Sequence, residues 1–421
     1  MPSPVFSAAP QTVYSPTRYS PYMAKAPKDI EILKEFRFSR LIWPILIGLA
    51  VLGYAVYQVQ QEDVNILEVL TQAQNPLWLI PGFAFMFARD LGYTWRMRVL
   101  TEKRLSWRNS LEITLLWEFA SAMTPSVVGG SALAIFMLMK EKISAGKSTA
   151  IVFITIFLDE LFYIVILPLL LLFVSYSDIF SPLRNADSAF GTGLVVGFWI
   201  AYGILIAYTT FLALALFIRP DGTSNVIKRL FHWKPLRRWR RGAYSLADEL
   251  LISSREYQHK PFSFWFWGWT ATFLAWIGRY LVLNCVLAMF TGLTLLQHLE
   301  AFARQVVMFQ VMLVSPTPGG SGFAEGAFSQ LMVEYAPQAG TVFLLASIWR
   351  IITYYPYLIL GIPLLPAWLR RVYGKKKAPK VGMDRVDAEE PNGQDETSSN
   401  EHPAGQNAPE PPDPEIVKRK D

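Results

Sequence analysis

The chain has 421 residues, of which 52% are hydrophobic, 14% aromatic and only 17% charged, against roughly 25% charged in soluble domains. With a mean hydropathy of +0.27, this excludes a large soluble enzyme domain and points to a membrane. One cysteine, Cys285, excludes an internal disulfide framework, four scattered histidines lack metal-ligand spacing, and the net charge of +6 sits beside apolar runs, where anionic lipid headgroups are nearer partners than nucleic acid.

Residues 1–35 read as a disordered cytosolic arm: six prolines fall among Ser, Tyr and Ala in the first 30 positions, and the apolar core of a secretory signal is missing. Two stretches of membrane-crossing length follow, at about 41–58 and 76–96. The next apolar stretch, 109–139, is broken at Thr124-Pro125-Ser126-Val127-Val128-Gly129-Gly130, which leaves each half too short to span. Spans at 148–174 and 191–218 come next, and then a basic segment, 224–258, in which Leu230, Phe231, Trp233, Leu236 and Trp239 alternate with Lys and Arg. That pattern predicts a surface helix pressed on anionic lipid. A span at 264–290 precedes a second broken stretch, 301–336, interrupted at Ser315-Pro316-Thr317-Pro318-Gly319-Gly320. The last span is 341–368, and 374–421 reads as a disordered cytosolic tail because Lys, Glu, Asp, Asn and Pro dominate it.

Loop charges set the orientation. Lys25, Lys28, Lys34, Arg37 and Arg40 precede the first span, the loop 59–75 has no Lys or Arg, and Arg98, Lys103, Arg104 and Arg108 follow the second. Both termini are therefore expected in the cytosol of a multi-pass cell-membrane protein. The first broken stretch has cytosolic flanks, the second has outer ones, and each is expected to be a re-entrant hairpin. The predicted fold is an all-α polytopic membrane protein with about six spans and two re-entrant hairpins, in an inverted-topology repeat with halves at about 41–174 and 191–368. Landmarks recur 190 residues apart: Arg89 with Arg279, Gly129-Gly130-Ser131 with Gly319-Gly320-Ser321, and Glu160 with Arg350.

Broken backbone at membrane depth is tolerated only inside protein or along a wet cavity. Two breaks meeting from opposite sides imply a central polar cavity, where such transporters hold their substrate. The second half of each hairpin is expected to begin immediately after Gly-Gly-Ser, so that its first amides and positive dipole end face the cavity and suit a phosphate. The substrate-binding candidates are Gly129, Gly130, Ser131, Gly319, Gly320, Ser321, Arg279, Arg350 and Tyr354, with Arg350 ranked first among the cations. A charge at the bilayer centre costs about 2.5–3.5 kcal/mol on insertion scales, so Glu118, Asp159, Glu160 and Glu325 are candidates for coupling, gating or fixed ion pairing. Arg89 and Asp90 read as structural. No metal, cofactor or catalytic group is expected.

The string Pro316-Thr317-Pro318-Gly319-Gly320-Ser321-Gly322-Phe323-Ala324-Glu325, with Trp349-Arg350-Ile351-Ile352-Thr353-Tyr354-Tyr355 and Gly361, resembles the lysylphosphatidylglycerol synthase transmembrane region family. The likeness covers about 40–370 and is looser at the first break, where Ser131 and Ala132 stand in place of the family's Gly-Glu and a following Arg. It implies a flippase-like membrane domain whose relatives move aminoacylated phospholipid between leaflets. The soluble synthase domain of the bifunctional members is not expected after Tyr373.

The sequence therefore favours a flippase or transporter for an anionic, aminoacylated or otherwise phosphate-bearing lipid. The alternatives are a membrane-embedded enzyme acting on a glycolipid or polyprenyl-phosphate type of lipid-linked phosphate, and a non-transporting scaffold. Lipids are the expected partners, and a homo-oligomer and a separate lipid-modifying enzyme are left open.

Overall fold

The computed structural model describes residues 53, 57, 71, 73–123, 127–185, 189–312, 323–336 and 341–373. Apart from Gly53 and Tyr57 the expected first span lies outside the described residues, as do residues 124–126 of the first break, the second break and both polar ends. Every regular element among the described residues is helical.

Helix α1, Leu79–Leu100, follows a 3-10 turn at Pro76–Trp78, where the Asn75 side chain accepts from the Leu77 amide at 3.2 Å. Its 22 residues make a rod of about 33 Å. Ile80, Phe83, Phe87 and Leu91 form an exposed stripe, whereas Gly82, Met86, Arg89, Tyr93 and Arg96 face inward. Apolar residues point out and charges point in, the polarity that a hydrocarbon solvent selects.

Helices α2, Trp107–Met123, and α3, Val127–Lys140, follow. At 17 and 14 residues, both are shorter than a hydrocarbon core of about 30 Å requires. The structure corrects one expectation here. Gly129 and Gly130 lie in the first turn of α3 and do not precede it. Gly130 serves a close approach instead, since a methyl group there would overlap the Ser121 hydroxyl.

Helix α4, Ala145–Leu171, is capped by Ser144, whose hydroxyl accepts from the Lys147 amide at 3.3 Å; this cap is why it begins before the expected residue 148. The stretch 176–185, expected only as connection, forms an amphipathic helix, α5, Tyr176–Asn185. Arg304 fastens it by donating to the Asp178 carbonyl at 2.7 and 3.1 Å. Helix α6, Ala189–Ala213, runs on through a π-helical turn, Leu214–Ile218, and exposes Val196, Trp199, Ile200, Ile204 and Phe211.

The basic segment is not one helix. It forms α7, Pro220–Leu230, a 3-10 stretch, Lys234–Trp239, and α8, Arg240–Gln258. Trp233 and Trp239 are exposed, as are Arg237, Arg238 and Arg241. The other face of α8 packs on α4, where Gly146 leaves no room for a side chain beside Glu249.

Helix α9, Phe262–Phe290, is the main partner of α1. The two run antiparallel: Gly82 lies against Cys285, Gly92 against Ala275, and Gly278 against Phe85 and Arg89. A methyl group on Gly278 would stand 2.9 Å from the Phe85 carbonyl, a close approach of the kind small residues permit between membrane helices. Helices α10, Leu295–Met312, and α11, Phe323–Leu331, are again short, with residues 313–322 between them outside the described set.

The last expected span is two helices, α12, Val342–Thr353, and α13, Tyr355–Tyr373. The chain breaks at Tyr354 because Pro356 has no amide to give the Ile352 carbonyl and its ring crowds that carbonyl. The Tyr354 hydroxyl donates to the Ala122 carbonyl at 3.0 Å, so the break is pinned to α2. Among the described residues, four segments are long and apolar enough to cross a membrane: Ala145–Leu171, Thr192–Ile218, Phe262–Phe290 and Val342–Tyr373. Helix α1 has the length, but its four internal charges, Arg89, Asp90, Arg96 and Arg98, set it apart from these.

Candidate functional site

The inward charges of α1 lie where α1, α2, α4, α9 and α13 converge. Arg89 is fully buried and pairs with Asp90 at 3.0 Å and Glu118 at 2.5 Å. It also donates to the Tyr357 hydroxyl, which in turn donates to Asp90 at 2.7 Å. Its guanidinium lies over the Tyr93 and Tyr357 rings at 4.9 and 5.0 Å. Surrounded by two carboxylates and two rings, Arg89 is compensated in place, in keeping with a structural role.

Two turns along the same face, Arg96 donates to Asp159 through both terminal nitrogens, the second at 3.2 Å, and to Thr272 at 3.2 Å. The Trp276 indole N–H donates to the same Asp159 carboxylate at 2.7 Å. Arg350 meets Glu325 at 2.9 Å, with the Tyr354 ring 4.9 Å beneath it. Thus the cation ranked first in the sequence already holds a carboxylate.

Arg279 differs. It lies between the Trp276 and Phe309 rings, 5.2 and 5.1 Å from their centres. Its ion pair among the described residues is with Glu118 at 3.9 Å, and that carboxylate is held more tightly by Arg89. Its side chain keeps 23% of its surface accessible, whereas that of Arg89 keeps none. Glu160 is the corresponding acid: it has no hydrogen bond or ion pair among the described residues, and its Oε2 is buried.

Arg279 lies in the walls of two cavities. The larger, about 260 Å³, is walled by Tyr93, Arg96, Trp117, Glu118, Ser131, Asp159, Glu160 and Trp276. The smaller, about 120 Å³, is walled by Ser121, Trp349, Arg350, Thr353, Tyr354 and Tyr357. Glu118, Ser121, Arg279 and Phe309 belong to both. The geometry suits a single-charged anion at Arg279, since a guanidinium fork binds phosphate oxygens in pairs and the rings on either side limit water.

Of the residues expected from sequence, Arg279, Arg350, Tyr354, Ser131, Glu118, Asp159 and Glu160 line these cavities. Glu325 adjoins them through Arg350. Gly129 and Gly130 sit in the first turn of α3, among the amides that a helix start leaves free. Gly319, Gly320 and Ser321 lie outside the described residues. Sequence reasoning missed Arg96, Tyr93, Trp276, Phe309 and Tyr357. The spacing Arg89-Tyr93-Arg96 carried a signal, because positions four and seven apart share one helix face.

Outside the cavities a second group of charges closes one end of the bundle. Lys147 is buried and meets Glu102 at 2.5 Å and Glu256 at 2.8 Å, and Lys260 meets the same acids at 2.7 and 3.2 Å. Glu102 and Lys103 turn the α1–α2 loop with φ of 54° and 61°, a left-handed conformation costly for side-chain-bearing residues. The Tyr257 hydroxyl donates to the Leu100 carbonyl at 2.8 Å, fixing α8 to the same corner. Burial opposes ionisation of the Glu102 carboxyl, but hydrogen bonds from Lys147 and Lys260 outweigh it and lower its pKa to about 2.

The family described as the lysylphosphatidylglycerol synthase TM region matches residues 41–361. A UPF0104 membrane protein of Archaeoglobus fulgidus is 25% identical over 303 residues, covering 68% of this chain and 85% of the relative. No solved structure matches the chain.

Proposed function

Because the chain belongs to the lysylphosphatidylglycerol synthase TM region family, we propose that this membrane protein is a lipid transporter that binds a phosphate-bearing headgroup at Arg279 and carries it between leaflets. The observation that carries this reading is the incomplete pairing of Arg279 in the shared wall of two cavities. A membrane-buried guanidinium needs a counter-charge. Its carboxylate partner among the described residues, 3.9 Å away, is already engaged by Arg89, which leaves Arg279 able to accept an anion.

An inverted repeat is part of the same reading. Helices α1 and α9 end 190 residues apart, at Leu100 and Phe290, and pack antiparallel, as counterpart helices of oppositely oriented halves would. Each is followed by a pair of helices too short to span, matching two hairpins entering from opposite faces. In inverted-repeat transporters the substrate sits near the midplane at the repeat interface, and Arg89 and Arg279 occupy the middle of the α1–α9 crossing. The reading includes six spans, cytosolic termini and an anionic headgroup as the partner.

The test is leaflet exchange of headgroup-labelled lipids in proteoliposomes. Wild-type protein should exchange an anionic phospholipid faster than empty vesicles, and Arg279→Ala should return to the empty-vesicle rate while keeping its thermal stability. Exchange by folded Arg279→Ala at the wild-type rate would show the reading to be wrong.

A further inference from the structure

We propose that Glu160 is a proton-binding site linked to Arg279, so that the larger cavity takes up one proton together with one phosphate-bearing anion. This rests on the reading of Arg279 as the anion site and adds the ion that accompanies the anion. Of the four carboxylates that sequence reasoning left between ion pairing and coupling, three are committed. Glu118 holds Arg89, Asp159 holds Arg96 and the Trp276 indole, and Glu325 holds Arg350. Glu160 alone faces the cavity with no partner among the described residues.

The charged and titratable groups around it come from every wall. Asp159 and Tyr163 lie on its own helix, α4; Tyr93 and Arg96 come from α1, Glu118 from α2 and Arg279 from α9. Tyr208 of α6 is close enough to sense its charge. Arg96 and Arg279 thus stand against Glu118, Asp159 and Glu160, leaving one unbalanced negative charge when Glu160 is ionised. Arg89 and Asp90, just behind, cancel each other and do not alter that balance.

A phosphodiester carries a second negative charge into this space. With Glu160 ionised, both charges would be uncompensated in a site of low dielectric, which is costly. With a proton taken from cavity water onto the Glu160 carboxylate, the walls are neutral before the anion enters and Arg279 is left to face it. Proton and anion therefore favour one another, and the coupling is reciprocal: each tightens the binding of the other by the same factor.

The experiment measures binding of dihexanoyl-phosphatidylglycerol to purified full-length protein between about pH 5 and about pH 9, a range in which the probe keeps its single charge. Wild-type affinity should fall by about tenfold per pH unit above the point where Glu160 ionises. Glu160→Gln, which fixes the neutral form, should hold the tight acid-side affinity throughout. Glu160→Ala should do the same if the Gln variant fails to fold. Wild-type affinity that does not vary with pH, or a Glu160→Gln variant that keeps the wild-type slope, would overturn the proposal.

Arg279→Gln should weaken binding at every pH, and if it does not, the anion site itself is misassigned. The infrared band of a protonated carboxylic acid separates the two failures. It should appear on acidification of lipid-free wild type and be missing from Glu160→Gln; its persistence in that variant would overturn Glu160 as the proton site wherever the anion binds. Glycerophosphoglycerol, the same headgroup without chains, identifies the source of the anion. Weaker binding than the lipid supports a membrane ligand, and equal binding would overturn the lipid as the anion.

Discussion

Two charged clusters in this protein look alike in composition and differ in how their charges are settled. At the bundle end, two lysines face two glutamates, and each glutamate meets both lysines within 3.2 Å. In the cavities, Arg89, Arg96 and Arg350 are each held by a carboxylate at close range, whereas Arg279 reaches its acid only at 3.9 Å and Glu160 reaches no cation among the described residues. A settled cluster fastens elements together. One with loose ends keeps charges available for something that comes and goes, and the two kinds should respond to mutation in opposite ways.

The largest loss of stability is expected at the clamp. Lys147→Ala would remove the buried cation and leave Glu102 and Glu256 to share Lys260; it should cost about 3 kcal/mol, read as a lowered unfolding temperature, with exchange per folded molecule unchanged. Next is the crossing of α1 and α9, where Gly278→Val would push against the Phe85 carbonyl at 2.9 Å and should cost about 2 kcal/mol. Tyr357→Phe removes the hydroxyl between Arg89 and Asp90 and should cost about 1.5 kcal/mol.

A smaller effect is expected from pH. Folding lowers the Glu102 carboxyl to about 2, so its contribution is complete above the ordinary glutamate value of about 4.3 and is lost as pH falls through the folded value. Glu102→Gln should remove that part of the acid dependence of the unfolding temperature. The smallest change in stability belongs to Arg279→Gln, within about 0.5 kcal/mol, because Glu118 keeps Arg89. If Arg279→Gln instead unfolds the protein as Lys147→Ala does, the distinction between the clusters fails.

Much of the fold was legible because hydrocarbon demands long apolar helices. The spans at α4, α6 and α9 begin and end within three residues of their expected limits. The division of the last span at Tyr354 was written in Pro356 but hidden by the apolar run on either side. The place of Gly129 and Gly130 inside α3 was misread because a glycine that breaks a helix and one that lets two helices touch, as Gly130 does, look the same in a sequence. The site was half legible: Arg279, Glu118 and Glu160 could be named as charges in apolar surroundings, yet the order of importance could not. Pairing is a property of three dimensions, and only the contact between Glu325 and Arg350 moves the unsettled cation to Arg279. Arg96 was overlooked because it fell at the last residue of its expected span and so read as an edge charge.

The most direct measurement is an experimental structure of the protein in a bilayer containing an anionic phospholipid. We expect headgroup density with its phosphate within hydrogen-bonding distance of the Arg279 guanidinium, between the Trp276 and Phe309 rings. An Arg279 closed onto Glu118, with lipid density confined to the outer faces of α1 and α6, would contradict a lipid site inside the bundle.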